Sequence, residues 1–363
     1  MKRSLISTTA LVTAGMLAAS ATANAADPIK LKIGGYMNAA VGWISEDDTS
    51  VANVRSEAIQ LDSEIKFSGA TVLDNGLEVG VKIEMATDGA NASIDEQMLY
   101  IENEESWGRI EIGSEDGASD QFRHLGPFVI GGSITGCATF SGATSTNGVA
   151  PFACGGAEGD RTKITYRGPK LLGMQWGISY TPERTDFAGL GDRDDGTSGE
   201  FGGTTELGAN FSTTIGGASV SVGGGLANFS AEAAGEEDSQ QWNFGGTVTV
   251  GNIRIGGSWK NQEAGPPTAQ DTDITHYRLG ITTSLSGTTV GVEYYAGENE
   301  VVNSGVAEGD DETTVLSIAA NRSIGPGVSI GAKIASWDMS DNASAAANEN
   351  SVTEFLVITS VGF

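Results

Sequence analysis

Apolar and polar residues alternate along most of the chain. Between Ile29 and Trp43 every second residue is apolar or small, and the residues between them include lysine, tyrosine and asparagine. Because strand side chains point alternately to opposite faces, a period of two predicts a β-strand with one apolar face. The pattern recurs sixteen times and predicts strands over 29–46, 56–73, 77–88, 94–104, 107–114, 161–168, 173–182, 203–215, 217–230, 240–250, 252–262, 272–286, 288–298, 312–323, 327–338 and 351–363.

The connections between these strands fall into two length classes. Tight turns containing glycine or asparagine are predicted at 74–76, 215–217, 250–252, 285–287 and 324–326. Longer segments separate the hairpins, at 47–55, 89–93, 115–160, 183–202, 231–239, 263–271, 299–311 and 339–350. An even number of antiparallel strands with short turns at one rim predicts an all-β, sixteen-stranded transmembrane β-barrel of the bacterial outer membrane. The hairpins of a soluble β-sandwich have no reason to sort by length.

Both ends of the chain predict export. Residues 1–25 combine a basic start, a weakly apolar run and the small-residue site Ala23-Asn24-Ala25, as a signal peptide does. We therefore expect a mature barrel of residues 26–363. The alternative, an amino-terminal membrane helix, needs about 20 apolar residues, and this run is shorter and contains serine and threonine. The last predicted strand ends on Phe363 and shows the lipid-facing alternation of an outer-membrane strand.

The composition argues against two further classes. The chain has 52 glycines and 8 prolines, which suits extended segments joined by tight turns, and no later apolar run matches a membrane helix. The formal charge is −27, and loss of Lys2 and Arg3 with the signal peptide would make it −27 − 2 = −29. Nucleic acid is therefore not an expected partner, because binding to phosphates needs clustered bases.

Cys137 and Cys154 lie 154 − 137 = 17 positions apart in a stretch rich in glycine, serine and threonine. An exported protein passes through an oxidising compartment, so we expect a disulfide. Closing a loop of this size would stabilise the chain by about 3 kcal/mol on the loop-entropy model. A metal site is the less favoured alternative, because no histidine or further cysteine stands nearby at ligand spacing.

An ordered set of motifs runs through the first half of the chain: EIKFSG at 64–69, DNGLEVGVKIE at 74–84, QMLYI at 97–101, WGRIEIG at 107–113 and DRTKITYRGP at 160–169. Together with Phe363, this set resembles the Gram-negative general porins. The resemblance implies a sixteen-stranded, usually trimeric, water-filled channel whose third loop folds inward and narrows the pore. Here that constriction loop would be residues 114–160, which lack the family's Pro-Glu-Phe-Gly-Gly motif and carry the two cysteines. The resemblance also places the early strands and the last strand near the trimer contact.

Charged residues at inward positions are the candidates for setting selectivity. Exposing a lysine or arginine side chain to lipid at the middle of the bilayer costs roughly 2 to 4 kcal/mol of free energy. Because their strand neighbours are apolar and take the lipid side, strand parity places these bases on the lumen side. The expected basic pore wall is Lys66, Lys82, Arg109, Arg161, Lys163 and Arg167, and the expected acidic constriction loop is Glu115, Asp116, Asp120, Glu158 and Asp160. Acids facing bases would create a transverse field that favours dipolar solutes. The alternative is that each charge is merely solvated or paired.

The predicted loop rim is acidic, with runs such as 236–238 and 308–312 and few bases beside them. This charge predicts a weakly cation-selective pore. Calcium, a hard cation, is a further candidate at the acidic loops, and residues 192–196 superficially resemble a calcium loop. Their spacing departs from that of an EF-hand, which favours solvated acids instead. No other cofactor is expected.

We therefore predict a passive diffusion channel for small hydrophilic solutes. The expected partners are outer-membrane lipid, lipopolysaccharide and two further copies of the chain. The alternatives are a barrel hydrolase, for which His124 and His276 show no recognisable triad, and a non-conducting structural or adhesive barrel, which would need a plugged lumen. The predicted lipid-facing aromatic residues are Trp43, Trp176, Trp242, Trp259, Trp337 and Phe363.

Overall fold

The computed structural model describes residues 28–47, 55–87, 92–129, 157, 159–184, 189–190, 196–264, 272–301, 309–341 and 349–363. The strands are β1 (Lys32–Glu46), β2 (Glu57–Val72), β3 (Glu78–Ala86), β4 (Ser93–Asn103), β5 (Gly108–Ser114), β6 (Thr162–Arg167), β7 (Met174–Thr181), β8 (Phe201–Ile215), β9 (Ala218–Ala231), β10 (Ser239–Val250), β11 (Ile253–Ala264), β12 (Thr272–Leu285), β13 (Thr288–Val301), β14 (Gly309–Gly325), β15 (Val328–Asp341) and β16 (Asn350–Gly362). One short helix, α1 (Ala118–Gln121), follows β5.

The strands form one closed antiparallel barrel. Each strand pairs with its neighbours in sequence, and β1 pairs with β16 from Tyr36 opposite Gly362 to Glu46 opposite Val352. Beyond this ladder, the backbone N–H of Gly35 donates to the carbonyl of Phe363 at 3.0 Å. Closure leaves no free sheet edge, which is the condition for strands to cross a bilayer. The predicted sixteen-stranded barrel is confirmed.

Several strands extend further toward the long connections than the sequence predicts. β13 was expected to end at residue 298 and continues to Val301, and β14 begins at Gly309 rather than at residue 312. In this extension Asn299 lies opposite Asp311. The alternation of apolar residues stops there because both faces of the sheet are polar, although the backbone ladder continues. Part of the acidic rim therefore belongs to strands.

The short turns contain residues with positive φ. Gly76 after β2 has φ of 79° and Gly287 after β12 has φ of 80°, values that a residue without a β-carbon adopts at little cost. The other connecting rim contains the longer segments, which include 115–161 and 182–200. Within the described ranges, no helix is long and apolar enough to cross a bilayer.

The outward face of the barrel is apolar and carries aromatic rings. Trp43 stacks on Phe355 across the β1–β16 seam, with ring centroids 5.8 Å apart, and Tyr166 packs edge-on against Trp176 at 5.5 Å. Large apolar side chains such as Leu279 are more than half exposed, as expected of a surface that faces lipid.

Trp337 was predicted to face lipid, and that prediction is wrong. On β15 Ile330 and Ile334 are exposed, so the odd-numbered residues point inward, and Trp337 is only 2% exposed. Inside the barrel it forms an apolar cluster with Ile44, Tyr295, Val315, Ala335, Met339 and Val352. Strand parity alone would have placed this ring correctly, since it lies an odd number of residues from Ile334. Part of the inner wall is therefore apolar.

Candidate functional site

The segment that follows β5 lies inside the barrel, against its inner wall. This inward segment, residues 115–129, includes α1 and is held by side chains of successive strands. The Ala118 N–H donates to Ser179 Oγ on β7 at 2.7 Å, and Asn243 Nδ2 on β10 donates to the Ser119 carbonyl at 3.1 Å. The Ser258 hydroxyl on β11 donates to the Leu125 carbonyl at 3.2 Å. The segment thus runs around the inside of the wall from β7 onward and narrows the lumen.

The start of the inward segment is the most tightly held part. The Glu206 carboxylate on β8 is fully buried and accepts from the N–H of Ser119 at 3.2 Å and from the Ser119 hydroxyl. On the other side, Gln121 Nε2 donates to Glu111 of β5 and to the Asp116 carbonyl, both at 2.8 Å. Side chains of the wall therefore accept hydrogen bonds from the backbone N–H groups at the start of α1. These N–H groups have no partners within the helix.

Lys66 and Lys82, both expected on the pore wall, point inward and are surrounded by carboxylates of the wall. Lys66 Nζ lies 3.0 Å from Glu64 and 2.5 Å from Glu84. Lys82 Nζ contacts three carboxylates: Glu84 at 3.0 Å, Glu96 at 2.7 Å and Glu115 at 2.6 Å. The contact with Glu115 joins a loop acid to a wall base.

Arg109 and Arg167 continue this array on β5 and β6. Arg109 lies 2.7 Å from Glu111 and 3.2 Å from Glu102, and its guanidinium stacks on the Tyr100 ring at 3.8 Å. Arg167 shares Glu111 at 3.3 Å. The bases expected to form a positive wall are therefore interleaved with carboxylates. We call the charged residues of β2–β6, together with Glu115 and Asp116, the acid–base ladder.

The two remaining predicted bases contact the backbone. Lys163 is buried, and its ammonium donates to the carbonyls of Glu115 and Gly159, the latter at 2.5 Å. Arg161 Nε donates to the Arg184 carbonyl at 2.8 Å. The Lys163 contacts tie together the place where the chain leaves β5 and the place where it enters β6, and the Arg161 contact ties the start of β6 to the segment after β7. Sequence alone did not indicate this tethering.

The acids of the inward segment have different environments. Asp120 pairs with Arg123 of the same segment, and burial raises its pKa well above the usual value. Burial, followed by the nearby Glu96 carboxylate and opposed by Lys82, raises the pKa of Glu115 to about 7. Burial and the Glu96 and Asp116 carboxylates raise the pKa of Asp160 to about 7.

Three carboxylates meet where the inward segment begins. One oxygen each from Glu96, Glu115 and Asp116 lies within 4.8 Å of the others. The Lys82 ammonium already contacts two of them, so this cluster has its own counter-charge. Among the other predicted residues, Cys137, Cys154, Glu158 and the 192–195 part of the candidate calcium loop lie outside the described residues.

The two histidines bind hydroxyl groups. His124 Nε2 in the inward segment lies 3.0 Å from Thr247 Oγ1, and His276 Nδ1 on β12 contacts the Tyr295 hydroxyl. Burial, and then the Arg254 charge, lower the pKa of His124, so its ring is neutral at pH 7. Both rings thus have structural partners on the inner wall.

Similar folds occur among solved outer-membrane proteins. The anion-selective porin from Comamonas acidovorans matches with a TM-score of 0.63 and 15% identity, over 93% of this chain and 100% of that chain. A trimer form of OmpT of Vibrio cholerae matches with a TM-score of 0.62 and 13% identity, over 93% of this chain and 100% of that chain. A mutant porin of Rh. blastica matches with a TM-score of 0.57 and 16% identity, over 92% of this chain and 100% of that chain.

Comparison with curated protein sequences gave no match. The sequence model of the Gram-negative porins matches residues 7–342, which is most of the chain and includes the fifteen strands β1 to β15 in full. The closed barrel and the inward segment agree with that match. The chain therefore belongs to the Gram-negative porins, the passive diffusion channels of the bacterial outer membrane.

Proposed function

We propose that this porin is a weakly cation-selective channel for small hydrophilic solutes. The observation that carries the proposal is the excess of acids in the acid–base ladder. The described inward-facing carboxylates there are Asp62, Glu64, Glu78, Glu84, Glu96, Glu102, Glu111, Glu115 and Asp116, and the bases are Lys66, Lys82, Arg109, Lys163 and Arg167. A surplus of carboxylates along a wet pore attracts cations and repels anions.

The bases on the wall from β12 to β16 offset this surplus only weakly. Arg278 pairs with Glu293, and Lys333 pairs with Glu354, and all four side chains are buried. A paired and buried charge has a small field in the channel water, because its partner cancels most of it. The wall from β12 to β16 is thus close to neutral as seen by a passing ion.

The direct test is the zero-current potential of the purified mature protein in a planar bilayer under a KCl gradient. We expect stable conductance steps and a potential of the sign that shows potassium preference. A potential showing chloride preference would overturn the cation selectivity while leaving the channel intact. An inserted, folded barrel without conductance would overturn the channel itself.

Selectivity is expected to depend on pH near neutrality. The raised pKa values of Glu115 and Asp160, both about 7, mean that each carboxyl is charged above pH 7 and neutral below it. Lowering the pH from 8 to 6 should therefore reduce the potassium-to-chloride permeability ratio by roughly twofold or more, as two nearby negative charges are lost. The zero-current potential measured across this range checks the effect.

The control for this titration is the double variant Glu115→Gln, Asp160→Asn. It has no carboxyl at either position, so its permeability ratio should change less between pH 8 and pH 6 than that of the wild type. If the double variant showed the same step as the wild type, other groups would be responsible for it.

We further propose that the protein is a homotrimer. The outward faces of β3, β4 and β5 carry aliphatic side chains and methionine, such as Ile83 and Ile112, and no aromatic ring among their described residues. Aromatic rings at the lipid boundary lie instead on strands such as β7, β10 and β11. An apolar face without boundary aromatics suits contact with a second subunit better than contact with lipid head groups.

The remaining expectations also stay proposals. We propose that residues 1–25 are a cleaved signal peptide, that residues 114–160 act as the constriction loop, and that Cys137 and Cys154 form a disulfide. The outward apolar face would contact lipid, and the rim with the long connections would contact lipopolysaccharide. We propose neither a catalytic activity nor a resident metal, since both histidines are bound to wall hydroxyls and the Lys82 ammonium already contacts two carboxylates of the described cluster.

A further inference from the structure

On several strands of the inner wall, the residue that lies beneath the inward segment is a glycine. Inward-facing glycines of β7, β8, β9, β10, β12 and β13 touch the segment, and we call this set the glycine track: Gly177, Gly208, Gly223, Gly225, Gly245, Gly280 and Gly291. The run Gly223-Gly224-Gly225 contributes two of them, because its first and third residues point inward. Glycine within a strand usually weakens the strand, so such a concentration on one face needs a reason.

At the track, the backbone of the inward segment rests directly on the backbone of the wall. A β-carbon at Gly208 would overlap the Ala118 carbonyl oxygen, and one at Gly245 would overlap the His124 carbonyl oxygen. A β-carbon at Gly280 would similarly overlap the Pro127 carbonyl. Close approach of two backbones is possible only where no side chain intervenes. Any larger residue would therefore hold the segment away from the wall.

Polar wall residues next to the track fasten the segment at the same level. Asn243 precedes Gly245 by two residues on the same face of β10, and it donates to the Ser119 carbonyl at 3.1 Å. Thr247 follows Gly245 by two residues and lies 3.0 Å from His124 Nε2. Each such strand thus combines a glycine that permits contact with a side chain that holds the segment in place.

From this arrangement we infer that the glycine track sets how far the inward segment projects into the lumen, and so the open cross-section of the channel. Gly208, Gly225 and Gly245 are positioning residues for the constriction. The inference rests on the proposed function, because a cross-section limits solutes only if they diffuse through the lumen. A methyl group on the track would push the segment toward the pore axis.

The test compares Gly245→Ala with Gly246→Ala in planar bilayers. Residue 246 is next in the same strand but points outward, so the second variant controls for loss of glycine within β10. We expect Gly245→Ala to lower the single-channel conductance by roughly a tenth to a fifth, since moving one side of a constriction of about 5 Å radius inward by about 1 Å removes that order of open area. Gly246→Ala should conduct as the wild type does.

A second pair of variants tests the contact by rescue and guards against misfolding of the first. A β-carbon at Gly177 would lie 2.5 Å from the Phe122 ring, whose side chain is buried between the segment and the wall. Gly177→Ala should lower conductance, and adding Phe122→Leu should restore it, because the smaller side chain makes room for the methyl group. Loss of strand stability alone would not be rescued by a substitution in the segment.

The outcomes separate the inference from the proposed function. A wild-type protein that folds without conducting would overturn the proposed function. A conducting wild type with equal conductance in Gly245→Ala and Gly246→Ala, or with no rescue by Phe122→Leu, would overturn the role of the glycine track. Reduced conductance in Gly245→Ala and Gly177→Ala, with rescue of the latter, would support it.

Discussion

Replacing Glu354 with leucine is expected to lower the free energy of unfolding by roughly 3 to 5 kcal/mol. Glu354 on β16 pairs with Lys333 on β15, and both side chains are essentially inaccessible to solvent. The variant leaves the Lys333 ammonium buried without this counter-charge. Equilibrium unfolding in urea with lipid vesicles, followed by tryptophan fluorescence, measures the change.

The matched control is the double variant Lys333→Met, Glu354→Leu. It replaces both charges by apolar side chains of similar volume, and such replacement of a buried pair is often neutral or stabilising. The double variant should therefore be more stable than the single Glu354→Leu variant by several kcal/mol. Equal loss of stability in both would mean that the packing of Glu354, rather than its charge, stabilises the barrel.

Replacing Lys82 with methionine is expected to increase cation preference more than any other single charge removal in the acid–base ladder. Lys82 contacts three carboxylates, Glu84, Glu96 and Glu115. The interaction energy between one charge and an ion about 4 Å away in water is about 1 kcal/mol, which corresponds to roughly a fivefold change in permeability. The zero-current potential at pH 9, where these acids should be ionised, measures the potassium-to-chloride ratio.

Lys170→Met is the control for the Lys82 variant. Lys170 is exposed in the turn between β6 and β7, so its removal changes the net charge equally without altering the ladder. Its permeability ratio should stay close to that of the wild type. A similar increase in both variants would assign selectivity to the overall charge of the protein rather than to the ladder.

The barrel itself was predictable because lipid imposes one strict rule on every strand. A residue such as Ile281 or Leu279 must be apolar where it faces hydrocarbon, and the resulting period of two survives wherever the strand lies in the bilayer. Where β13 and β14 continue beyond the bilayer, Asn299 lies opposite Asp311 and the period of two is lost. The sequence therefore underestimated these strands at the ends that water surrounds.

The candidate site was predictable only in part. Parity placed Lys82 and Arg109 on the inner face, as the structure does, because it depends on a single strand. Their partners depend on the register between strands, which sets Glu84 opposite Glu96 and Arg109 opposite Glu102. The tether formed by Lys163 depends on the path of the loop itself. These features require three-dimensional information that alternation does not contain.

The seam between β1 and β16 has a consequence for assembly. The strand that is synthesised first bonds to the strand that is synthesised last, from Tyr36 opposite Gly362 to Glu46 opposite Val352. Until β16 pairs with β1, both seam strands expose unpaired backbone groups, which are templates for pairing with other chains. Contacts so distant in sequence form slowly. The time that the nearly complete sheet spends open should therefore limit the yield of folded barrels, and conditions that shield its two edges should raise that yield.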